Sequence, residues 1–395
     1  MKLKHKRIAI KVIISVGFLL LLLLVTVIKS NTFIAEYIFA RGIGRAWVAF
    51  VGSITSFLPF SLYEILYFVL VVVFIYGVVL IIKSQSAKSR LKLNNYIASI
   101  MLLASFLLAV YSVTAAPNYY REPIPLEAQF AADDLDAETI LLGAEYFVAD
   151  FNELGRKLRR NERGDVVCPY SRLEFAKIMA AEMARLDDSY YSSFTPYYKN
   201  IALSEVLDVM GLAGVFFSPT GEANVSTAQK DCFAPYVIAH ELAHSKGVMR
   251  ENEANLVAGY ITLTSQNDYI RYSGYMHLFF GSILNSVVVS HTYELMFEQI
   301  YKKVDKQIVQ EYTKPSEKSN FEEFLGDFAV KINKLATKMN DFYLKLSGME
   351  EGVGSYNPGR AKELQPIIQG EESIPQYQLT PTQRLIFQIY LDKTA

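Results

Sequence analysis

His240-Glu241-Leu242-Ala243-His244 is the stretch on which the reading of this chain turns. It has the form HExxH. On a helix, residues i and i+4 share a face, so the two imidazoles can reach one point. Glu241 sits one step round the same helix, close enough to touch a water on an ion rather than the ion itself. That is the arrangement of a zinc hydrolase. The plainer reading is a buried helix whose histidines merely satisfy hydrogen bonds. Two imidazoles and a carboxylate facing one another are costly to bury without a metal, which favours the first reading.

Zinc in a hydrolase takes three protein ligands and leaves one position for water. The third ligand is sought just downstream, in Arg250-Glu251-Asn252-Glu253-Ala254-Asn255. Glu251 and Asn255 stand at i and i+4, so both can face the metal. Glu251 is expected as ligand, with Asn255 hydrogen-bonding a ligand into place. Glu253 points to another face of that helix and is the fallback ligand. The chain has 5 His, and two of the remaining three, His277 and His291, are candidates to stabilise an oxyanion. For each of them a hydrogen-bonded core histidine is the plainer role, and one of the many tyrosines could serve instead.

Around the motif the pattern is helical. Ala234 to about Ser245 is the HExxH helix, and Gly247 suits the left-handed residue beyond a helix end. Glu251–Thr264 and His277–Leu295 read as the next helices. Upstream, Asp136–Arg160 has apolar residues at helical spacing. Ser171-Arg172-Leu173-Glu174 is a capping-box pattern opening a helix to about Leu186. Gly214–Phe217 and Ala223–Ser226 read as short strands around a Pro219-Thr220-Gly221 turn. Asp187–Lys199 reads as loop, Phe321–Leu346 as an amphipathic surface helix, Glu350–Pro381 as loop, and Leu385–Leu391 as a short last helix.

Hydrophobic residues make up 51% of the chain, and the excess sits in the first 116 residues. Ile8–Ile28, Leu62–Ile82 and Tyr96–Ala116 are each long enough to span a bilayer, which takes about 20 apolar residues. Lys2, Lys4, Lys6, Arg7 and Lys11 flank the first; Lys83, Lys88, Arg90 and Lys92 lie between the second and third. Basic loops stay in the cytoplasm. The expectation is a multi-pass protein of the cell membrane with a cytoplasmic N-terminus and an extracytoplasmic domain from 117 to 395. Ala46–Tyr63 reads as a re-entrant or interfacial helix, or a fourth span. The charge-free stretch Tyr272–Tyr293 reads as a buried core helix rather than a span. Pro117 to Pro125, with three prolines, reads as a linker. A net charge of −1 gives no reason to expect nucleic acid. The two cysteines, Cys168 and Cys232, are as readily two buried thiols as one disulfide.

The order of turn and strand, HExxH helix and ExxxN helix resembles that of gluzincins, in particular the CAAX prenyl protease and heat-shock membrane protease group. The resemblance implies His240 and His244 as ligands, Glu241 as base and Glu251 as third ligand. It also implies an edge strand around Glu222, Ala223 and Asn224 that pairs with substrate backbone. The gap from His244 to Glu251 is much shorter than in that group, and Asn255 stands where it has Asp. The short gap is similar to metzincins, but Arg250 occupies their third-histidine place. Over most of its length the chain is similar to the domain-of-unknown-function family 3810, which shares the Pro-x-Thr-Gly-Glu-Ala-Asn segment and HELAHxxGxxxExEAN. That likeness implies architecture and metal site and brings no substrate.

The expected fold is mainly α, with three transmembrane helices followed by an α+β zincin-like domain whose short β-hairpin precedes the HExxH helix. The expected function is a zinc metallopeptidase acting on envelope or secreted proteins or peptides, with the bilayer and a peptide as partners. The rivals are a non-catalytic scaffold with a structural zinc site and a zinc amidase acting on cell-wall peptide.

Overall fold

The computed structural model describes the chain except residues 1, 131–133, 282, 288–290, 317–323, 358, 365–375 and 395. Its first part is helical: α1 (Lys2–Ile28), a π-helical turn region Ile34–Gly44 running into α2 (Arg45–Thr55), α3 (Leu62–Ile82) and α4 (Ala87–Thr114). Among the described residues, three helices are long and apolar enough to cross a membrane, and they contain Leu3–Ile28, Leu62–Ile82 and Lys88–Thr114. Their apolar side chains stay largely exposed, including Leu20, Leu23, Phe68, Phe74 and Ile82. α1 packs along α4, and the Lys11 ammonium reaches Asn95 and Ser99 of that neighbour at 3.0 and 2.7 Å.

α2 is not a fourth span. Its 11 residues are too few to cross hydrocarbon, and it lies on the C-terminal part of the molecule. Trp47 Nε1 donates to the Ser218 carbonyl, and Gly52 meets Phe194 and Gly221 closely. The charges just before it explain the docking. Buried Glu36 takes the Arg121 guanidinium at 2.6 and 2.9 Å and Arg41 at 2.5 Å. A buried carboxylate of this kind requires such partners. The same guanidinium donates to the Gly247 and Tyr190 carbonyls. The stretch expected as a linker is therefore packed: Ala116–Tyr120 is a 3₁₀ turn with Pro117, Asn118 and Tyr119 buried. Proline excludes α-helix there but tolerates this tighter turn.

The rest is a helical body with two small sheets. After α5 (Pro125–Gln129) come β1 (Asp134–Asp136), α6 (Ala137–Lys157), α7 (Arg172–Met183), β2 (Lys199–Ile201), α8 (Ser204–Val209), β3 (Gly214–Phe217) and β4 (Glu222–Ser226). Then follow α9 (Ala234–Ser245), α10 (Glu251–Leu263), α11 (Asp268–Phe280), α12 (His291–Lys302) and α13 (Lys306–Thr313). Next is α14 (Asp327–Leu346), and the chain ends through β5 (Lys362–Leu364), β6 (Gln376–Gln378) and α15 (Pro381–Thr394). Asp136 and Ser171 cap α6 and α7 by accepting the Thr139 and Glu174 amides. α6, α9, α10, α11 and α15 enclose one apolar core in which Phe147, Phe151, Tyr272 and Tyr275 are fully buried.

Several expectations change here. His277–Leu295 is not one helix: α11 stops at Phe280, where the Gly281 amide bonds the His277 carbonyl, and a new helix begins at His291. α11 has 13 residues and buries its charge-free part from Tyr272 to Phe279, His277 excepted, which accounts for the lack of charge there without a membrane. Glu350–Pro381 is not all loop. β5 and β6 pair antiparallel and β1 joins β6, giving the order β1-β6-β5. Long-range pairing of this sort leaves no local signature. Cys168 and Cys232 are free thiols, half-buried and buried.

The second sheet has the order β2-β4-β3. Glu222, Ala223 and Asn224 therefore lie in its central strand, buried throughout, and not on an edge. Their polar atoms look toward the head of α3. The Glu222 carboxylate accepts the Leu62 and Tyr63 amides, each at 3.1 Å, and Asn224 Oδ1 accepts the Ser61 hydroxyl at 2.6 Å. A carboxylate at a helix N-terminus satisfies orphan amides and meets the positive end of the helix dipole. The sheet's edges are β2 and β3, and β3 is the edge strand that passes Glu241.

Candidate metal centre

α9 and α10 pack side by side, joined by a tight turn at Gly247, whose φ is 91°. Only glycine adopts that conformation freely. The turn brings three groups to one focus. His240 Nε2 lies 3.1 Å from Glu251 Oε2, and His244 Nε2 lies 3.7 Å from the same oxygen. One donor atom from each of the three lies within 4.8 Å of the others. A tetrahedral ion with ligands at about 2.0–2.1 Å has edges near 3.3 Å, which these separations bracket.

The imidazoles are oriented from behind. His244 Nδ1 donates to the Val248 carbonyl at 2.7 Å, and His240 Nδ1 lies 3.0 Å from Asn255 Oδ1. The Asn255 amide in turn donates to the Tyr356 carbonyl at 3.1 Å, which fixes its flip and makes Oδ1 the acceptor. Both Nδ1 atoms are thus engaged from behind, and both Nε2 atoms are turned toward Glu251. Two imidazole nitrogens and a carboxylate converging in this way are the donor set a divalent cation takes.

Glu241 stands beside the focus on the α9 face. Its side chain is buried, and Oε2 has no hydrogen-bond partner among the described residues. Burial pushes its carboxyl up to about 8, against the pull of His240. The Phe216 backbone N–H lies close enough to pull it slightly down. That amide comes from β3. The Ser226 amide bonds the Ala213 carbonyl, and antiparallel alternation then turns Gly214 and Phe216 away from β4. A Cβ at Gly214 would lie 2.7 Å from Glu241 Oε1, so glycine is what lets the strand pass.

Burial lowers His244 to about 4. Burial also opposes charge on His240, but hydrogen bonding and charge from Glu251 raise it. Glu251 is raised by burial and lowered by the two histidines, and the net direction is down.

The other expected residues lie elsewhere. Glu253 is buried against Arg250, at 2.6 Å, and does not reach the focus. Burial raises its carboxyl to about 7 despite that arginine. His277 stacks on Tyr236, ring centroids 4.2 Å apart, with Phe233 edge-on at 5.1 Å. It belongs to the aromatic core one turn of α9 before His240, and burial lowers it to about 4. It is not placed to stabilise an oxyanion. The backbone of His291 begins α12, and its side chain lies outside the described residues. The residue that sequence reasoning missed is Tyr356, in a short 3₁₀ turn at Gly352–Tyr356. Its hydroxyl is close enough to Glu251 to help lower that carboxyl, and its carbonyl holds Asn255. It is one of 26 tyrosines, and nothing local marks it.

The family described as "Protein of unknown function (DUF3810)" matches residues 39–358. The chain belongs to that family. The match runs from the segment before α2 through Tyr356, so it takes in the whole focus, including the late tyrosine. No curated protein and no solved structure is detectably similar to the chain.

Proposed function

We propose that this DUF3810 protein is a membrane-anchored zinc metallopeptidase that hydrolyses peptide bonds in envelope or secreted proteins. The observation that carries the reading is the meeting of His240, His244 and Glu251 beside a buried carboxylate with an unpartnered oxygen. The lysines and arginine between 83 and 92 support an orientation with the metal centre outside the cytoplasm.

His240, His244 and Glu251 would hold the ion, and Asn255 and the Val248 carbonyl keep the two rings in register. Zinc bound there supplies Lewis acidity toward a carbonyl and an acidified water of pKa about 7. Glu241 Oε2 takes the proton of the attacking water and returns it to the leaving amine nitrogen. The free edge of β3 can align an extended peptide by backbone hydrogen bonds. The Tyr356 hydroxyl, near Glu251, is our candidate donor to the oxygen that becomes negative.

Metal analysis of the detergent-purified protein tests this first, with about one zinc per chain expected from a three-ligand site. Glu241→Ala keeps the zinc and abolishes casein hydrolysis. Glu251→Ala loses zinc while Glu253→Ala retains it. A zinc-loaded wild type that cleaves neither casein nor any other protein sinks the peptidase reading. Cleavage of cell-wall stem peptides alone would reassign it to an amidase.

A further inference from the structure

α14 carries an apolar seam that no described residue covers. Phe328, Leu335, Met339, Phe342 and Leu346 are 60–64% exposed, with Ile332 half-buried among them. At 100° per residue they fall in a stripe about 80° wide. On one side of the stripe the helix packs on the body through Ala329, Tyr343 and Leu344. On the other side stand Lys331, Lys334, Lys338 and Lys345.

Two contacts fix where this helix runs. Near its end, the Tyr343 hydroxyl bonds that of Tyr111, in the last turn of α4, at 2.6 Å. Ten residues earlier, Asn333 touches Gly211, just past α8. The loop entering α8 is tied to the head of α3: the Glu64 carboxylate accepts the Ala202 and Leu203 amides at 3.1 and 2.6 Å. Ten helical residues cover about 15 Å. α14 thus bridges the ends of α3 and α4 that face the body, running across those helices rather than along them. Leu203 and Val206, exposed at the start of α8, extend the apolar surface beyond the helix itself.

We infer that α14 lies flat in the membrane leaflet nearest the metal centre, its seam among the acyl chains and its lysines at the phosphate headgroups. Amphipathic helices with lysine flanks bind bilayers in this way, their stems snorkelling to the interface. The inference takes α1, α3 and α4 as membrane spans and does not depend on the metal or on hydrolysis. The 4-3 spacing of the seam would also suit a coiled coil with a second copy. The apolar surface continuing onto α8, at the level where α3 and α4 end, favours lipid.

The test uses the full chain in phospholipid nanodiscs. Single cysteines at Leu335, Met339 and Phe342, with Thr337→Cys as control on the opposite face, carry an environment-sensitive fluorophore in a background lacking Cys168 and Cys232. Brominated acyl chains should quench the first three and spare the control. Unaltered protein, irradiated with a diazirine-tailed phospholipid, should carry adducts in the 327–346 peptide, so a misfolded variant cannot decide the matter. No quenching at the seam together with no adducts overturns the inference. So does copy-to-copy crosslinking at Leu335 without lipid quenching.

Discussion

Two of this molecule's buried glutamates, Glu311 and Glu241, differ in whether they are satisfied. Glu311 on α13 is 1% exposed, and both its oxygens are used. Oε2 accepts Arg160 at 2.6 Å and Tyr272 at 2.7 Å, and Oε1 accepts the Val166 amide at 2.7 Å. That cluster neutralises its own charge and ties α13 to the body. At the candidate metal centre Glu241 keeps an oxygen with no partner among the described residues, and two histidines turn Nε2 toward one carboxylate. A completed cluster contributes to the fold. An incomplete one of equal burial costs stability and is retained where something else completes it.

Glu241→Gln should separate the two most sharply. Hydrolysis falls by about 100- to 10,000-fold, while zinc content and thermal stability hold or improve. A variant that loses activity only by unfolding breaks the contrast. Glu311→Ala should do the reverse, costing about 3–5 kcal/mol of stability by leaving Arg160 uncompensated, with zinc stoichiometry unchanged in the folded fraction. Chemical denaturation of the detergent-solubilised protein measures it. Asn255→Ala should weaken zinc affinity by about 10- to 100-fold without emptying the site at saturating metal, read by chelator competition.

The smallest effect concerns His277. Burial holds it near 4, below the ordinary 6.5. The unfolded chain then binds the proton first, so this residue's contribution is complete above pH 6.5 and declines as pH falls toward 4. His277→Leu should therefore show a smaller loss of melting temperature than wild type on going from about pH 7.5 to about pH 5. Equal losses would remove His277 from the account.

What could be read along the chain depended on the distance over which each signal acts. The i, i+4 spacing of His240 with His244, and of Glu251 with Asn255, is a local property of two helices. The spacing by itself orders the candidates, and the structure puts those four side chains in mutual reach. Glu251 and Glu253 differ only by helical phase, which turns one to the focus and the other to Arg250. The hydrophobic runs of α1, α3 and α4 were equally legible, because length and apolarity need no partner to be counted. α3 has the expected bounds, whereas α1 and α4 start earlier, at Lys2 and Ala87, because their basic N-terminal extensions are helical too. Strand order was not legible. The 222–226 segment looks the same whether it pairs on one side or two, and β2, arriving from Lys199–Ile201, makes it central. Tyr356 was hidden for a like reason, since its carbonyl meets Asn255 across 101 positions of chain.

The amino-acid order alone determined the HExxH helix and the helix after it, the apolar runs of α1, α3 and α4, and that two imidazoles stand one turn apart with Glu251 and Asn255 sharing a face downstream. Helical periodicity and capping act within a few residues and need nothing else. Only the tertiary structure decided that β3 rather than β4 runs free beside Glu241, that His277 is core, and that Tyr356 closes on the centre. It alone also brought the head of α3 and the last turn of α4 to the same end of the body. Each of those depends on which distant surface a side chain meets, and burial and pairing are properties of the assembled packing rather than of any one stretch.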